Sequence, residues 1–303
     1  MTPWHYRWLC QFAYINLPSS VSPGQTLSEI AARLRSLHES SALPCGKLSP
    51  SDLETIQIIR ADPDLSALVL LEYTNRNSST GLVYFVLRAP DESLHLLFRG
   101  SESRGCGVPT GVDWLDNFLA PFHGSVQYPE IAALARRFPK ARAVFSGHSK
   151  GAHNALYALA SCPAPDARAV VFNGQGFAAG QLTRSQKSRL ARHGVNYVTR
   201  GDPVGALLFH PEKRVFTRAQ PGVHPHSLAA FEFDVSGTPR PGLRPLWSFA
   251  LELTSRLAVT PQGFPLEGKL SAKQTDEVSP IQIRSYSAEP VYPVLHPVSS
   301  LIN

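Results

Sequence analysis

A serine flanked by glycines is the candidate nucleophile of this chain. The stretch Gly147–Gly151 reads G-H-S-K-G, with Ser149 at its centre. A short apolar run precedes it, and the small-residue segment Ala152–Ala160 that follows predicts a helix. A strand, a sharp turn and a helix in this order project a serine for attack on a carbonyl carbon. Glycines permit the turn, because larger side chains would collide with the strand or the helix.

A serine hydroxyl also needs a histidine to take its proton and a carboxylate to hold that histidine. Among the acids after the serine, Asp202 directly follows a predicted strand. Asp166 comes too soon after the predicted helix, and Glu212 lies in a stretch that we interpret as a basic, exposed loop. These positions favour Asp202 as the carboxylate.

Four histidines follow the serine, and two of them share one loop. His193 ends a polar helix, and His210 precedes a proline in a charged turn. His224 and His226 lie in the loop 222–226, just before a strand-like run. His226 adjoins that run and is the favoured base, whereas His224 stays the alternative, because only geometry decides between them.

The negative charge that develops on the carbonyl oxygen needs two N–H donors. One comes from the residue after the nucleophile, here Lys150, and the other from a loop after an earlier strand. The apolar run Leu94–Phe98 ends in an R-G-S turn at residues 99–101. Ser101 is therefore a candidate for the second donor, through its N–H or its hydroxyl, although the R-G-S turn alone indicates only a tight turn.

The elements around these residues predict an α/β sheet. Helices are expected at Thr26–His38, with Thr26 as N-cap, and for a short stretch from Pro50. Up to about Pro18 there is no clear period, and from Phe98 onward helices and strands alternate, as in a parallel sheet. The other predicted strands are Ala67–Tyr73, Leu82–Arg88, Leu94–Phe98, Ala167–Phe172, Val195–Thr199, Val215–Thr217 and Ala230–Val235, and the other predicted helices are Pro129–Phe138, Gln181–His193 and Leu246–Leu257.

Length and composition predict one main core with two appendages. The chain has 303 residues, of which 17% are charged, as in folded globular proteins. We expect residues 1–60 to form an N-terminal helical arm that packs on the core, residues 61–258 the catalytic domain, and residues 259–303 a proline-rich C-terminal extension.

The net charge and the distribution of basic residues indicate which kinds of partner to expect. The net charge is +6, but the basic residues are scattered, which favours attraction to an anionic membrane surface over a nucleic-acid-binding face. No metal-binding or cofactor-binding motif is present, so we expect neither a metal nor a cofactor. The four cysteines have no zinc or redox spacing and are interpreted as reduced thiols.

The first residues contain no basic, apolar and small-residue regions in the order of a cleavable signal peptide. We expect a soluble cytoplasmic protein. Together with the basic charge, this also permits export by a specialised secretion system as a bacterial effector, with a secretion or immunity partner.

Five short motifs resemble a known family. The sequence resembles the class III, fungal-type lipase superfamily between about residues 82 and 235, and G-H-S-K-G resembles a bacterial branch of it. The motifs, in order, are F-R-G-S at 98–101, D-W-L-D-N-F at 113–118, G-H-S-K-G at 147–151, N-G-Q-G at 173–176 and G-D-P-V at 201–204. The resemblance implies an α/β-hydrolase fold with a mostly parallel central sheet and helices on both faces.

The same resemblance implies roles for single residues. Ser149, Asp202 and His226 match the catalytic triad, and Ser101 and Lys150 match the oxyanion donors. It also implies a lipid ester substrate, an acylglycerol or a phospholipid.

The segment after the R-G-S turn is often a lid in this family, but here it is unusually rich in glycine. Trp114, Leu115 and Phe118 could give a lid an apolar, substrate-binding face, or they could belong to the core.

The sequence thus predicts a serine hydrolase that cleaves lipid esters, a lipase or phospholipase. One alternative is a soluble short-chain esterase or thioesterase that uses the same triad. Another is a catalytically silent lipase-like binding protein, in which the glycine-flanked turn is kept for structure.

Overall fold

A seven-stranded sheet forms the centre of the computed structural model, which describes residues 1–43, 46–101 and 124–259. The strands are β1 (Val69–Asn75), β2 (Val83–Arg88), β3 (Leu94–Phe98), β4 (Ala143–His148), β5 (Arg168–Phe172), β6 (Gly194–Thr199) and β7 (Lys213–Thr217). They lie side by side in chain order, so β1 and β7 are the two edges. The pairs β1–β2 and β2–β3 are antiparallel, and β3 to β7 are parallel.

Helices cover both faces of this sheet. They are α1 (Pro3–Phe12), α2 (Leu27–Glu39), α3 (Pro50–Ala61), α4 (Pro63–Ser66), α5 (Tyr128–Arg136), α6 (Lys150–Ser161), α7 (Arg184–His193) and α8 (Leu246–Ala258). Side chains of α1 to α4 share one hydrophobic cluster with Phe85 and Val144, whereas α5 to α7 share the other with Val86 and Phe145. Because neighbouring strand residues point to opposite faces, the strands β2 to β5 contribute side chains to both clusters.

This architecture confirms the predicted α/β-hydrolase fold with a mostly parallel central sheet and helices on both faces. The carboxyl ends of the parallel strands β4, β5 and β6 meet at one edge of the sheet. Ser149 follows β4 there, and Asp202 lies in the turn after β6. In open α/β sheets, ligands bind in the crevice at that edge.

Several elements that were predicted from strong local sequence signals are present in the structure. Thr26 caps α2 through its side chain, which accepts the backbone N–H of Glu29 at 3.2 Å, while the Glu29 carboxylate accepts the N–H of Thr26 at 2.7 Å. The strand prediction Leu94–Phe98 is confirmed to the residue. The helical start at Pro50 continues to Ala61, so that helix is longer than expected.

Two regions differ from the prediction. Residues before Pro18, in which no period was predicted, contain helix α1. The helix begins with Pro3 at its first position, and its buried residues Tyr6, Leu9 and Cys10 recur at helical spacing. Residues 230–235 form no laddered strand. Phe231 and Phe233 make single β-bridges, to Ala219 and Pro239, after a 3-10 turn.

The prediction of an exposed position for Glu212 is wrong. The Glu212 side chain is buried, with Oε1 2.7 Å from Nδ1 of His210 and 3.2 Å from Nδ2 of Asn196. Nε2 of His210 donates to the Leu207 carbonyl at 2.9 Å. Burial alone would raise the pKa of Glu212, but the nearby His210 ring and these hydrogen bonds outweigh it and lower that pKa below its ordinary range.

This buried pair predicts acid sensitivity. A carboxyl group with a lowered folded-state pKa stabilises the fold fully above its unfolded pKa, and the contribution is lost as the pH falls through the folded value. We expect the free energy of unfolding, measured by urea titration, to decline below about pH 4.5. Glu212→Gln should show a shallower decline. Glu39→Gln, on the exposed end of α2, should keep the wild-type slope; equal slopes for all three proteins would contradict the assignment.

Some predictions lie outside the described residues. These are the lid and substrate-binding residues Trp114, Leu115 and Phe118, the extension beyond residue 259, and Cys45 and Cys106. The domain boundaries at residues 60 and 258 stay predictions. Of the cysteines in the described part, Cys10 and Cys162 are buried free thiols. None of the helices in the described ranges combines the length and apolar content of a membrane span.

Candidate active site

The turn between β4 and α6 holds Ser149 in a strained conformation. Its backbone has φ 58° and ψ −125°, a region that residues with a side chain rarely occupy. A Cβ atom on Gly147 would overlap the carbonyl oxygen of Gly151, and one on Gly151 would overlap that of Phe98. Both flanking glycines are therefore required by close backbone contacts, and the turn projects the Ser149 side chain at the carboxyl edge of the sheet.

Ser149, His226 and Asp202 form a continuous hydrogen-bonded chain. The Ser149 Oγ lies 2.9 Å from Nε2 of His226, and Nδ1 of His226 lies 2.8 Å from Oδ1 of Asp202. The Asp202 side chain is completely buried, whereas that of His226 keeps a quarter of its surface exposed. With Nδ1–H donated to the carboxylate, Nε2 is free to accept the proton of the serine hydroxyl.

The turn after β6 fixes the carboxylate. Backbone N–H groups of Gly205 and Val204 donate to Oδ2 and Oδ1 of Asp202 at 2.8 and 3.2 Å. A Cβ on Gly205 would lie 2.6 Å from Cγ1 of Val198, so only glycine allows this close approach. The carboxylate is thereby held toward the histidine, with hydrogen bonds to both oxygens.

Residues 222–226, which we call the histidine loop, are held by hydrogen bonds from the ends of β5 and β6. The Pro225 carbonyl accepts a hydrogen bond from Nδ2 of Asn173 at 3.1 Å and a second from the Thr199 hydroxyl. Asn173 in turn accepts the N–H of Thr199 through Oδ1 at 3.0 Å. His224 takes no part in the chain, because its Nδ1 accepts the backbone N–H of His226 at 3.2 Å. Of the two histidines that the sequence left open, the structure brings His226 to the serine.

The two predicted oxyanion donors lie on either side of the serine turn. Lys150 is the first residue of α6 and is buried. A Cβ on Gly100 would lie 2.6 Å from the carbonyl oxygen of His148, so the turn that carries Ser101 lies against the residue before Ser149. Backbone N–H groups at the start of a helix favour a developing negative charge.

His148 links the N-terminal part of the chain to the histidine loop. Its Nε2–H donates to the His226 carbonyl at 2.7 Å, and its Nδ1 accepts the hydroxyl of Tyr14 at 2.9 Å. Burial, assisted by the neighbouring His226 ring, lowers the pKa of His148 to about 3. The ring is therefore neutral near pH 7, which matches its roles as one donor and one acceptor.

Arg99, the residue after β3, binds the segment after α1 to the edge of the sheet that carries Ser149. Its buried guanidinium donates to the carbonyls of Ala13 and Ile15, the latter at 3.1 Å, and to Oδ1 of Asn16 at 2.7 Å. These bonds set the position of Tyr14 between them. A cavity of about 290 Å³ opens beside the ring of His226 and is lined in part by Tyr14 and His148.

Sequence reasoning missed Tyr14, His148 and Arg99. Tyr14 and His148 are 134 residues apart, His148 and His226 are 78 apart, and Arg99 is more than 80 residues from its partners. No local sequence pattern therefore indicates these contacts. The available signals were the position of His148 inside G-H-S-K-G and that of Arg99 inside F-R-G-S. Within the described ranges, no group of three or more His, Cys, Asp or Glu side chains is arranged to hold a metal ion.

Comparisons with known proteins find likeness in structure and none in sequence. No protein-family model and no curated protein matches the chain. Among solved structures, it is similar to a mutant form of MDLA from Penicillium cyclopium, with 12% identity over 84% of this chain and 96% of that chain, at a TM-score of 0.46.

Two further structures are similar at lower scores. The M37 lipase has 11% identity over 68% of this chain and 69% of its own, at a TM-score of 0.40. The Rhizomucor miehei lipase, in complex with its propeptide, has 15% identity at a TM-score of 0.37; the likeness covers 68% of this chain and 62% of that one.

Proposed function

We propose that this chain is a serine hydrolase that cleaves carboxylic esters of lipids, a lipase or phospholipase. The observation that carries the proposal is the chain from Ser149 through His226 to Asp202, with both distances below 3.0 Å, on a serine held at a positive φ. A turn that serves only to connect β4 and α6 would need neither the backbone strain at Ser149 nor the buried carboxylate of Asp202 bound to His226. Such strain persists at functional sites because the surrounding structure enforces it.

The mechanism follows from the donors and acceptors of the site. Nε2 of His226 takes the proton of Ser149 as Oγ attacks the ester carbonyl carbon, and Asp202 stabilises the resulting imidazolium. The backbone N–H groups of Lys150 and Ser101 stabilise the negative oxygen. The imidazolium then protonates the leaving alcohol. Water, activated by the same histidine, releases the acid from the acyl-enzyme.

The lipid part of the proposal rests on the five sequence motifs and on the basic charge of the chain. A short-chain esterase or thioesterase with the same triad would carry out the same steps on a smaller acyl group. The two differ in the acyl length that gives the highest kcat/KM. Hydrolysis rates on a series of nitrophenyl esters and on purified acylglycerols and phospholipids therefore distinguish them.

A fluorophosphonate probe tests the chemistry itself. Only an activated serine is labelled rapidly, so we expect labelling of the wild-type protein at Ser149 and hydrolysis of at least one long-chain ester. Absence of labelling in a folded protein would overturn the proposal and favour a silent binding protein. Labelling together with activity on short soluble esters alone would restrict the function to a short-chain esterase.

Tyr14→Phe tests the link through His148. The change removes the hydroxyl that Nδ1 of His148 accepts, and an unpartnered buried acceptor costs about 1–3 kcal/mol. We expect kcat to fall roughly tenfold with KM nearly unchanged, because the His226 carbonyl is then held less firmly. Since His148 stays neutral above its low pKa, the loss should be constant from about pH 6 to 9. Tyr73→Phe in β1 is the matched control; equal kcat values for both variants would contradict the link.

A further inference from the structure

Helix α8 packs on the protein with its polar side. The buried Ser248 accepts Nε of Arg244 at 2.8 Å, and Ser255 accepts the backbone N–H of Leu208 at 2.9 Å. Between them, Oε2 of Glu252 receives guanidinium groups from Arg214 of β7 and from Arg244, both at 2.6 Å. These bonds fix the rotation of the helix about its axis.

The opposite side of α8 is apolar and exposed. We call it the α8 apolar face; it consists of Leu246, Phe249, Leu253 and Leu257, which are 53% to 86% exposed. Of the nine large hydrophobic side chains that are exposed within the described ranges, six lie between Leu243 and Leu257. A helix on a protein surface normally turns such a side toward the core. Here the hydrogen bonds and ion pairs of the other side prevent that, so the apolar face is available to a partner.

Basic side chains flank one side of this face. Helix α7 carries Arg184, Lys187 and Arg192 and no acidic residue, whereas its Arg189 donates to the carbonyls of Leu159 and Ala164. It adjoins α8 at Phe209, whose ring lies 5.7 Å from Nζ of Lys187 and 5.1 Å from the guanidinium carbon of Arg256 in α8.

A second basic site lies at the beginning of α8. Arg200 and Arg218 follow the last residues of β6 and β7, and they line a groove of about 640 Å³ together with Glu232 and the 81% exposed Leu243. The carboxyl ends of β6 and β7 belong to the same edge of the sheet as Ser149 and Asp202. The α8 apolar face thus starts at the edge that carries the candidate active site.

We propose that α8, with its basic flanks, docks the protein on an anionic lipid bilayer. A 13-residue helix is too short to cross a membrane, but an amphipathic helix lies in the interface with its apolar side among the acyl chains and basic residues among the headgroups. The arrangement disfavours a second copy of this chain, because a symmetric dimer would place like-charged flanks against each other. The inference rests on the proposed function, for which it names the docking surface, but its test needs no hydrolysis.

The test is co-sedimentation with vesicles of ether-linked phosphatidylglycerol and phosphatidylcholine, which contain no ester that the protein could cleave. We expect the wild-type protein to bind anionic vesicles, to bind neutral ones less, and to lose affinity as salt rises to about 0.5 M. Leu253→Glu should lower the affinity at least tenfold, and so should Leu257→Glu, which introduces the same charge one turn later. Leu71→Glu, an identical change of an exposed leucine in edge strand β1, should bind as the wild type does.

Each outcome decides the inference separately from the proposed function. If vesicle binding depends on Leu253 but no ester is hydrolysed, the docking surface stands and the proposed function fails. If a soluble short ester is hydrolysed but the wild type does not bind vesicles, or Leu253→Glu and Leu71→Glu bind equally, the docking surface is overturned. Self-association in analytical ultracentrifugation that Leu253→Glu abolishes, without an effect on vesicle binding, would also overturn it.

Discussion

Ser149→Ala is expected to lower ester hydrolysis by at least about 10⁴-fold and to leave the fold intact. The change removes Oγ, the atom that His226 approaches at 2.9 Å, and alanine has no group that can form the acyl-enzyme. Residual rate would come only from the oxyanion donors and from substrate binding. The measurement is kcat/KM on a nitrophenyl ester, together with the thermal unfolding midpoint.

The control for this variant is Ser161→Ala at the end of α6, a half-buried serine on the same helix. It should retain wild-type activity. Alanine keeps the Cβ atom and therefore the same backbone strain as serine, so the thermal unfolding midpoint of Ser149→Ala should stay close to that of the wild type. A Ser149→Ala protein that is folded and hydrolyses the ester at the wild-type rate would show that the nucleophile lies elsewhere.

His226→Ala is expected to reduce kcat by roughly 10³-fold or more, and His224→Ala by less than about tenfold. His226 bridges the hydroxyl and the carboxylate, whereas the His224 ring accepts only a backbone N–H of the same loop. The two variants form a matched pair, since both replace a histidine of one short loop by alanine. Their kcat values on the same soluble ester are the measurement.

The reverse order of the two histidine variants would transfer the role of base to His224 and leave the rest of the site unchanged. Equal, severe losses would instead indicate that the whole loop has moved. The position of the Pro225 carbonyl, which two donors from Asn173 and Thr199 hold, argues against such a movement in either variant.

The sequence was informative where local chemistry decides the structure. The capping box at Thr26, the apolar strands and the contact between Gly147 and Gly151 each depend on residues that are close in sequence, so a single sequence reveals them. Helix α1 was missed although a local signal was present, since its buried residues Tyr6, Leu9 and Cys10 recur at helical spacing. Trp8 and Phe12, which are also apolar and buried, obscure this period in the sequence.

The site depended more on contacts that are distant along the chain. Asp202 could be selected because its position after a strand follows from the order of elements. The choice between His226 and His224 needs the path of a loop, and that path is set by hydrogen bonds from Asn173 and Thr199. Glu212 was misjudged because Lys213 and Arg214 follow it and suggest an exposed loop. Its buried partners are His210, two residues earlier, and Asn196 in β6, and the sequence does not show that either the ring or the amide faces the carboxylate.

The contact between Tyr14 and His148 has a consequence for how the protein is made. Tyr14 is synthesised 134 residues before His148, and His226 follows His148 after another 78 residues. Contacts between such distant residues form late, because each requires the closure of a long loop. For the proposed hydrolase we therefore expect no ester hydrolysis by the growing chain on the ribosome until residue 226 has emerged and the segment that carries Tyr14 has reached His148. An activity assay during cell-free translation would time the last step of folding.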